Sequence, residues 1–267
     1  MTFVALVRRS LARHRALIIS LAALLSAFQI LDIVVSYNLL QNAMYSQFAT
    51  MVPAFIQEAM GGALTGTFLG AVAVGFVHPL VMLSLSCGAI YMASEPAGEV
   101  EDGLVDLVVA RPVPRHLIVS RSAFVFAGGT LVVVTAMFVT SRAAVHWLAP
   151  GQAHVVAASR LGWLALNLVA VVWSLGAVAL AFAAHVRERS RAAGTIAFVA
   201  VFLYLLQFGA AAWAPLRPFA LVSPFHYYQT MQTLLGSVTP TTHIAGLLTA
   251  ALALLGLAYF LYARRDL

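Results

Sequence analysis

The apolar positions of this chain do not alternate with period 2, nor do they mark one stripe of a helix. They run on for 16 to 46 residues between one charged position and the next. Arg15 and Asp32 enclose 16 uncharged residues, with the apolar run continuing to about Val35, and Glu58 and Glu95 enclose 36. The intervals Arg121–Arg142, Arg160–Arg187, Arg191–Arg217 and Arg217–Arg264 enclose 20, 26, 25 and 46. A bilayer core of about 30 Å is crossed by about 20 helical residues. The pattern therefore predicts six spans, near 16–36, 67–92, 122–144, 161–185, 193–213 and 243–263. The fold class expected is an all-α integral membrane protein, with residues 1–267 forming a single transmembrane domain.

Two stretches between spans are too apolar for plain loops. Residues 44–62 mix Met, Phe and Ile with Gln47, Gln57 and Glu58, as expected of a short interfacial helix. Residues 214–240 hold four prolines with Phe225, Tyr227 and Tyr228, and are expected to form re-entrant or interfacial pieces.

Composition sharpens this. Of the 267 residues, 62% are hydrophobic and only 9% charged, where a soluble domain carries roughly a quarter. All 15 basic residues are Arg. Without Lys the chain has no P-loop lysine and no Schiff-base amine, so any nucleotide-driven work draws on another chain. The lone Cys87 cannot form an internal disulfide. Cys87 and His78 lie ~180° apart on a helix, which speaks against a soft-metal site. With the N-terminus in the cytoplasm, 12 of the 15 arginines fall in inner segments, leaving Arg142, Arg160 and Arg217 outside. The positive-inside rule thus predicts that both termini are cytoplasmic. A cleaved signal peptide is not expected, because the first apolar run exceeds a typical signal core. The basic residues are accounted for by topology, so nucleic acid is not an expected partner.

One inner segment has a pattern of its own. Residues 94–121 contain five of the nine acids. Pro96 and Gly98 are expected to break the preceding helix, and Arg111-Pro112 to end the next. Between them a short helix over Glu99–Ala110 places Glu99, Asp102 and Asp106 within about 60° of one another. Val100, Leu104, Leu107 and Val108 occupy a separate arc of about 100°. This predicts an amphipathic helix flat beneath the membrane, either a connector or a docking element, with Gly103 allowing a close approach.

These residues resemble a family. Glu101-Asp102-Gly103, Leu107, Ala110-Arg111-Pro112-Val113-Pro114-Arg115 and the basic Arg121 are similar to the inner signature of type-2 ATP-binding-cassette (ABC) exporter permeases. Ser223-Pro224-Phe225 before the last span and the terminal Arg264-Arg265-Asp266-Leu267 fit as well. Leu104 departs from a common threonine and Arg121 from a common lysine, the second keeping the charge. The resemblance implies a plasma-membrane permease subunit paired with a second copy or paralogue. It also implies two cytosolic ABC ATPase subunits, which hold ATP and Mg, while this chain holds no cofactor and no catalytic site. Docking would fall to Glu99, Glu101, Asp102, Gly103, Leu104, Leu107, Arg111, Pro112 and Arg115.

Inside the spans, His78-Pro79 and Asp32 are the ionisable candidates for a pathway. Proline at 79 is expected to unwind a turn and free a carbonyl. For His78 the alternative is a neutral ring bonded to a neighbouring helix, and for Asp32 a partner such as Arg142 or Arg160. Two competing functions stay open: an intramembrane enzyme or cofactor-handling protein using His78, and a non-catalytic scaffold.

Overall fold

The computed structural model describes residues 2–41, 51–59, 67–103 and 114–265. In chain order its α-helices are α1 (Thr2–Gln41), α2 (Ala54–Ala59), α3 (Phe68–Val77), α4 (Pro79–Ala93) and α5 (Glu95–Glu101). They continue with α6 (His116–Leu148), α7 (Ala158–Ala183), α8 (Arg189–Ala212), α9 (Arg217–Ala220), α10 (Thr230–Leu235) and α11 (Thr241–Ala263). No strand occurs among the described residues. Six stretches are long and apolar enough to cross a bilayer: α1, α3 with α4, α6, α7, α8 and α11. The protein is an all-α, multi-pass membrane protein, and each expected span has its helix.

α1 is longer than its span requires. Its 40 residues extend about 60 Å, twice the hydrocarbon thickness, so the arginine-bearing first turns project beyond the apolar layer. α7 lies at the centre, with α4, α6, α8 and α11 packed around it. Its most apolar window is 83% buried, against 22% for α1 and 17% for α11. A helix apolar on all sides belongs inside a bundle, and the inward Asn167 and Ser174 of α7 each donate a hydrogen bond, though Asn167 Oδ1 has no partner among the described residues. Asn167 donates to the Tyr227 carbonyl and Ser174 to the Val171 carbonyl. The outer helices instead present apolar side chains outward: Ile19, Leu24 and Leu31 on α1, Phe198 and Phe202 on α8, Leu252 on α11. In a membrane these meet lipid.

Both termini lie at one end of the bundle. There Arg115 donates to the Arg265 carbonyl at 2.7 Å. The Arg265 guanidinium in turn donates to the carbonyls of Ala183, Ala184 and Val186. A cation on the last carbonyls of α7 satisfies groups the helix itself cannot bond and complements its dipole.

The opposite, far end explains two of the three arginines that charge counting leaves outside. Arg142 donates to the Val156 carbonyl at 2.6 Å. Arg160 donates to the carbonyls of Leu234 and Leu235, closing α10, where Gly236 takes the left-handed φ of 76°. A Cβ at Gly236 would stand 2.7 Å from the Arg160 guanidinium carbon.

The expected re-entrant piece is present at this end. Ser223 donates to the Leu203 carbonyl, nine residues before the end of α8, and Asn167 of α7, which holds Tyr227, lies nine residues past that helix's start. Nine residues of helix are about 14 Å, so residues 223–228 dip well below the helix ends. Irregular backbone is tolerated at that depth when enclosed by protein. Ser223, Phe225 and Tyr228 are indeed buried.

Candidate functional site

The turn after the second span is where the sequence concentrates its acids, and the chain there differs from the expected layout. The break falls at Ser94, whose hydroxyl donates back to the Ile90 carbonyl. α5 starts at once, four residues before the expected Glu99, and contains both Pro96 and Gly98. A proline in the first turn costs nothing, because its missing N–H has no helical acceptor there. α5 ends at Glu101, and Gly103 adopts φ 66° just beyond it. Residues 104–113 lie outside the described residues, and with them Leu104, Leu107, Arg111 and Pro112.

The acids of α5 do not share one solvated face. Glu95 and Glu99 are turned inward and buried. Arg121, itself 2% exposed, grips Glu99 with both arms at 2.8 and 3.0 Å and lies 3.7 Å from Glu95. Arg13 approaches Glu95 at 3.4 Å, and the Ser10 hydroxyl donates to it. Two carboxylates and two guanidiniums thus cancel in charge where water is scarce. Two-armed arginine–carboxylate pairing is the strong form of such a bond. Glu99, expected at a docking surface, is therefore an internal tie from α5 to the start of α6.

Glu101 makes a different tie. Its carboxylate accepts the backbone N–H of Arg189, the first residue of α8, at 2.9 Å. An anion at a helix N-terminus meets unsatisfied N–H groups and the positive end of the dipole. The Arg189 side chain donates to the Tyr91 carbonyl and stacks over the Tyr91 ring, 3.9 Å from its centroid. It also meets His14 Nε2 at 2.9 Å, while His14 Nδ1 faces the Ser10 carbonyl. These partners select the tautomer with the proton on Nδ1, which donates to Ser10 while Nε2 accepts from Arg189.

The close approach expected at Gly103 occurs at Gly98 instead. A Cβ on Gly98 would stand 2.9 Å from Arg189 Cδ, whereas Gly103 has nothing within 4 Å and serves the turn. Ala97, Ala183 and Ala192 complete this narrow contact between α5, α7 and α8. A seven-residue helix is thus bolted to the N-terminal third of α1 and to the starts of α6 and α8, and follows α4 after the break at Ser94. Asp102 and Glu101 remain exposed at its tip, with Arg115 nearby in sequence at the start of α6.

The two intramembrane candidates make different contacts at one break. His78 has φ −56° and ψ 139°, the extended conformation that a following proline imposes. It breaks the second span into α3 and α4. Its Nδ1 accepts the Leu80 N–H at 3.2 Å, so it caps α4, and its ring rests on Phe28. The bond the side chain makes is to its own chain, not to a neighbouring helix. Pro79 offers no N–H to the Gly75 carbonyl. As expected, that carbonyl is freed, and Gln29 Nε2 donates to it. The Val77 carbonyl receives the Tyr204 hydroxyl at 3.3 Å. Replacing His78 by Ala is expected to lower stability by about 1 kcal/mol, as loss of a cap does, while His78→Asn keeps most of it. Thermal denaturation of the detergent-solubilised protein reads the difference.

Asp32 stands against the same break. A Cβ at Gly75 would lie 2.8 Å from both Asp32 Oδ2 and Gln29 Oε1, so glycine is what lets α1 approach here. Both oxygens are buried without a hydrogen-bond partner among the described residues. Arg142 and Arg160, the partners considered for Asp32, are bound to carbonyls elsewhere.

Sequence reasoning missed Ser10, Arg13 and His14, the α1 side of the charged tie. Their spacing of three and four residues on a helix was the available signal. Gln29, three before Asp32, carried the same signal. No group of three or more His, Cys, Asp or Glu able to hold a metal occurs among the described residues. No protein-family model matches the chain, and no curated protein shows significant similarity to it.

Proposed function

We propose that the chain is the transmembrane permease subunit of an ATP-binding-cassette exporter. In this reading it sits in the plasma membrane, pairs with a second permease copy, and is driven by a separate cytosolic ATPase that holds ATP and Mg. The observation that carries it is α5. This short helix lies at the end of the bundle that holds both termini. Through Glu99, Glu95 and Glu101 it is fixed to the start of α6, the N-terminal third of α1 and the start of α8. A push on its exposed tip is delivered to spans one, three and five together, as a transmission element requires.

The sidedness follows from charge. The termini end carries the arginine excess, and the positive-inside rule assigns it to the cytoplasm, where an ATPase works. The absence of Lys leaves no P-loop in this chain, so the energy comes from a partner. Residues 223–228, dipping in from the far end, then lie on the exit side of the pathway.

Purification from its own membrane in mild detergent tests the reading. The chain is expected to come with a P-loop ATPase subunit, and the complex to hydrolyse ATP at a rate that changes on reconstitution into lipid. A homogeneous preparation free of any P-loop subunit contradicts it.

A further inference from the structure

The re-entrant segment has two sides. One faces an apolar groove of about 520 Å³ between α7, α8 and α11. The other faces a cavity of about 390 Å³ at the His78 break, closed by α2, α8 and α10. The lining of this second cavity is unlike a lipid-facing groove. It presents the amides of Gln207, Gln229 and Gln232, the Tyr228 phenol, the His226 imidazole and the Glu58 carboxylate.

Two of these groups are buried and unused. The Tyr228 side chain is 5% exposed, yet its hydroxyl has no hydrogen-bond partner among the described residues. The same holds for Gln207 Oε1. An unpaired buried polar atom carries a desolvation cost of about 1–3 kcal/mol. In a cavity of this size, a bound group that supplies the missing bonds removes that cost.

The charge of the lining restricts what that group is. Among the described residues Glu58 is the one acid on the wall, and Arg217 lies 3.7 Å from it at the mouth, with both side chains more than half exposed. Among the described residues, Glu58 is thus offset at the mouth, and the rest of the polar lining is amides, a phenol and an imidazole. The amides and the phenol both donate and accept, as hydroxyl groups do. Phe225 and Tyr204, packed edge to face at 5.3 Å, add aromatic surface for an apolar ring face.

We propose that this cavity is a binding site for an uncharged, hydroxyl-rich group of the sugar type, held by Tyr228, Gln207, Gln229 and Gln232. The site goes beyond the transport reading and needs no ATPase to be tested.

Saturation-transfer NMR on the full chain in lipid nanodiscs, with methyl β-glucoside as probe, provides the test. Glucose 6-phosphate and glucosamine are the charged comparisons. The glucoside is expected to bind, and both charged analogues to bind at least tenfold more weakly. Tyr228→Phe removes only the hydroxyl and is expected to weaken glucoside binding about fivefold or more, the worth of one hydrogen bond. Its thermal midpoint is expected to hold or rise, because the hydroxyl has no partner to lose. Gln232→Leu is expected to weaken binding as well. The proposal is overturned by any of three results: no glucoside binding; equal binding by wild type and both variants, which is surface association only; or a preference for a charged analogue. A fall of several degrees in the Tyr228→Phe midpoint also overturns it, since the hydroxyl then has a structural bond.

Discussion

Arg121→Met is expected to destabilise the protein by about 3–5 kcal/mol, as breaking a buried ion pair does. The substitution keeps much of the side-chain volume and leaves Glu99 buried without its counter-ion, and Glu95 with only Arg13. Arg121→Lys keeps the charge but gives up the two-armed grip, so a smaller loss is expected. The double variant Arg121→Met with Glu99→Gln is expected to recover part of the loss, because the uncompensated charge has gone. Unfolding of the purified protein by graded denaturing detergent measures all three. An Arg121→Met protein within about 1 kcal/mol of wild type would show that the charged tie does not hold α5 in place.

Charge reversal at the tip of α5 is expected to act on coupling and leave the fold intact. Asp102 is exposed and is paired with no cation among the described residues, so Asp102→Lys removes no internal bond. Glu101 is also exposed but holds the start of α8, so Glu101→Lys costs up to about 1 kcal/mol there. Together the two reversals are expected to weaken association with the ATPase at least tenfold, about 1.4 kcal/mol. The ATPase rate of the reconstituted complex should fall in step. Glu101→Gln alone separates the two roles: it weakens the helix cap without presenting a cation to the partner. An unchanged complex and rate in the double reversal would remove α5 from the coupling path.

How legible this was depends on what each feature rests on. The spans were legible because crossing a bilayer is a length condition on apolar sequence: five of the six intervals meet it uncharged, and the first meets it by running past Asp32 to Val35. The His78-Pro79 break was legible because a proline without an N–H must free a carbonyl. The donor that takes the Gly75 carbonyl, Gln29, was not, since it comes from 46 residues earlier in the chain. α5 was misplaced for a related reason. Amphipathic reasoning treats acids as a solvated face, and the sequence between 94 and 121 does not reveal that Arg121 and Arg13 turn two of them inward. Pro96 breaks the preceding helix, yet at the start of α5 it is a good first-turn residue. The far-end cavity was the least legible part. Its polar wall is assembled from α2, α8, α10 and the re-entrant segment, and no local pattern joins Gln207 to Tyr228.

Site-specific photo-crosslinking in the native membrane bears most directly on the claim that α5 receives the ATPase. A photoreactive residue in place of Asp102 is expected to form an adduct with a P-loop ATPase subunit. The same residue in place of Ser237, exposed at the far end, is expected to form none. An ATPase adduct at neither position, or at Ser237 in place of Asp102, would contradict the account.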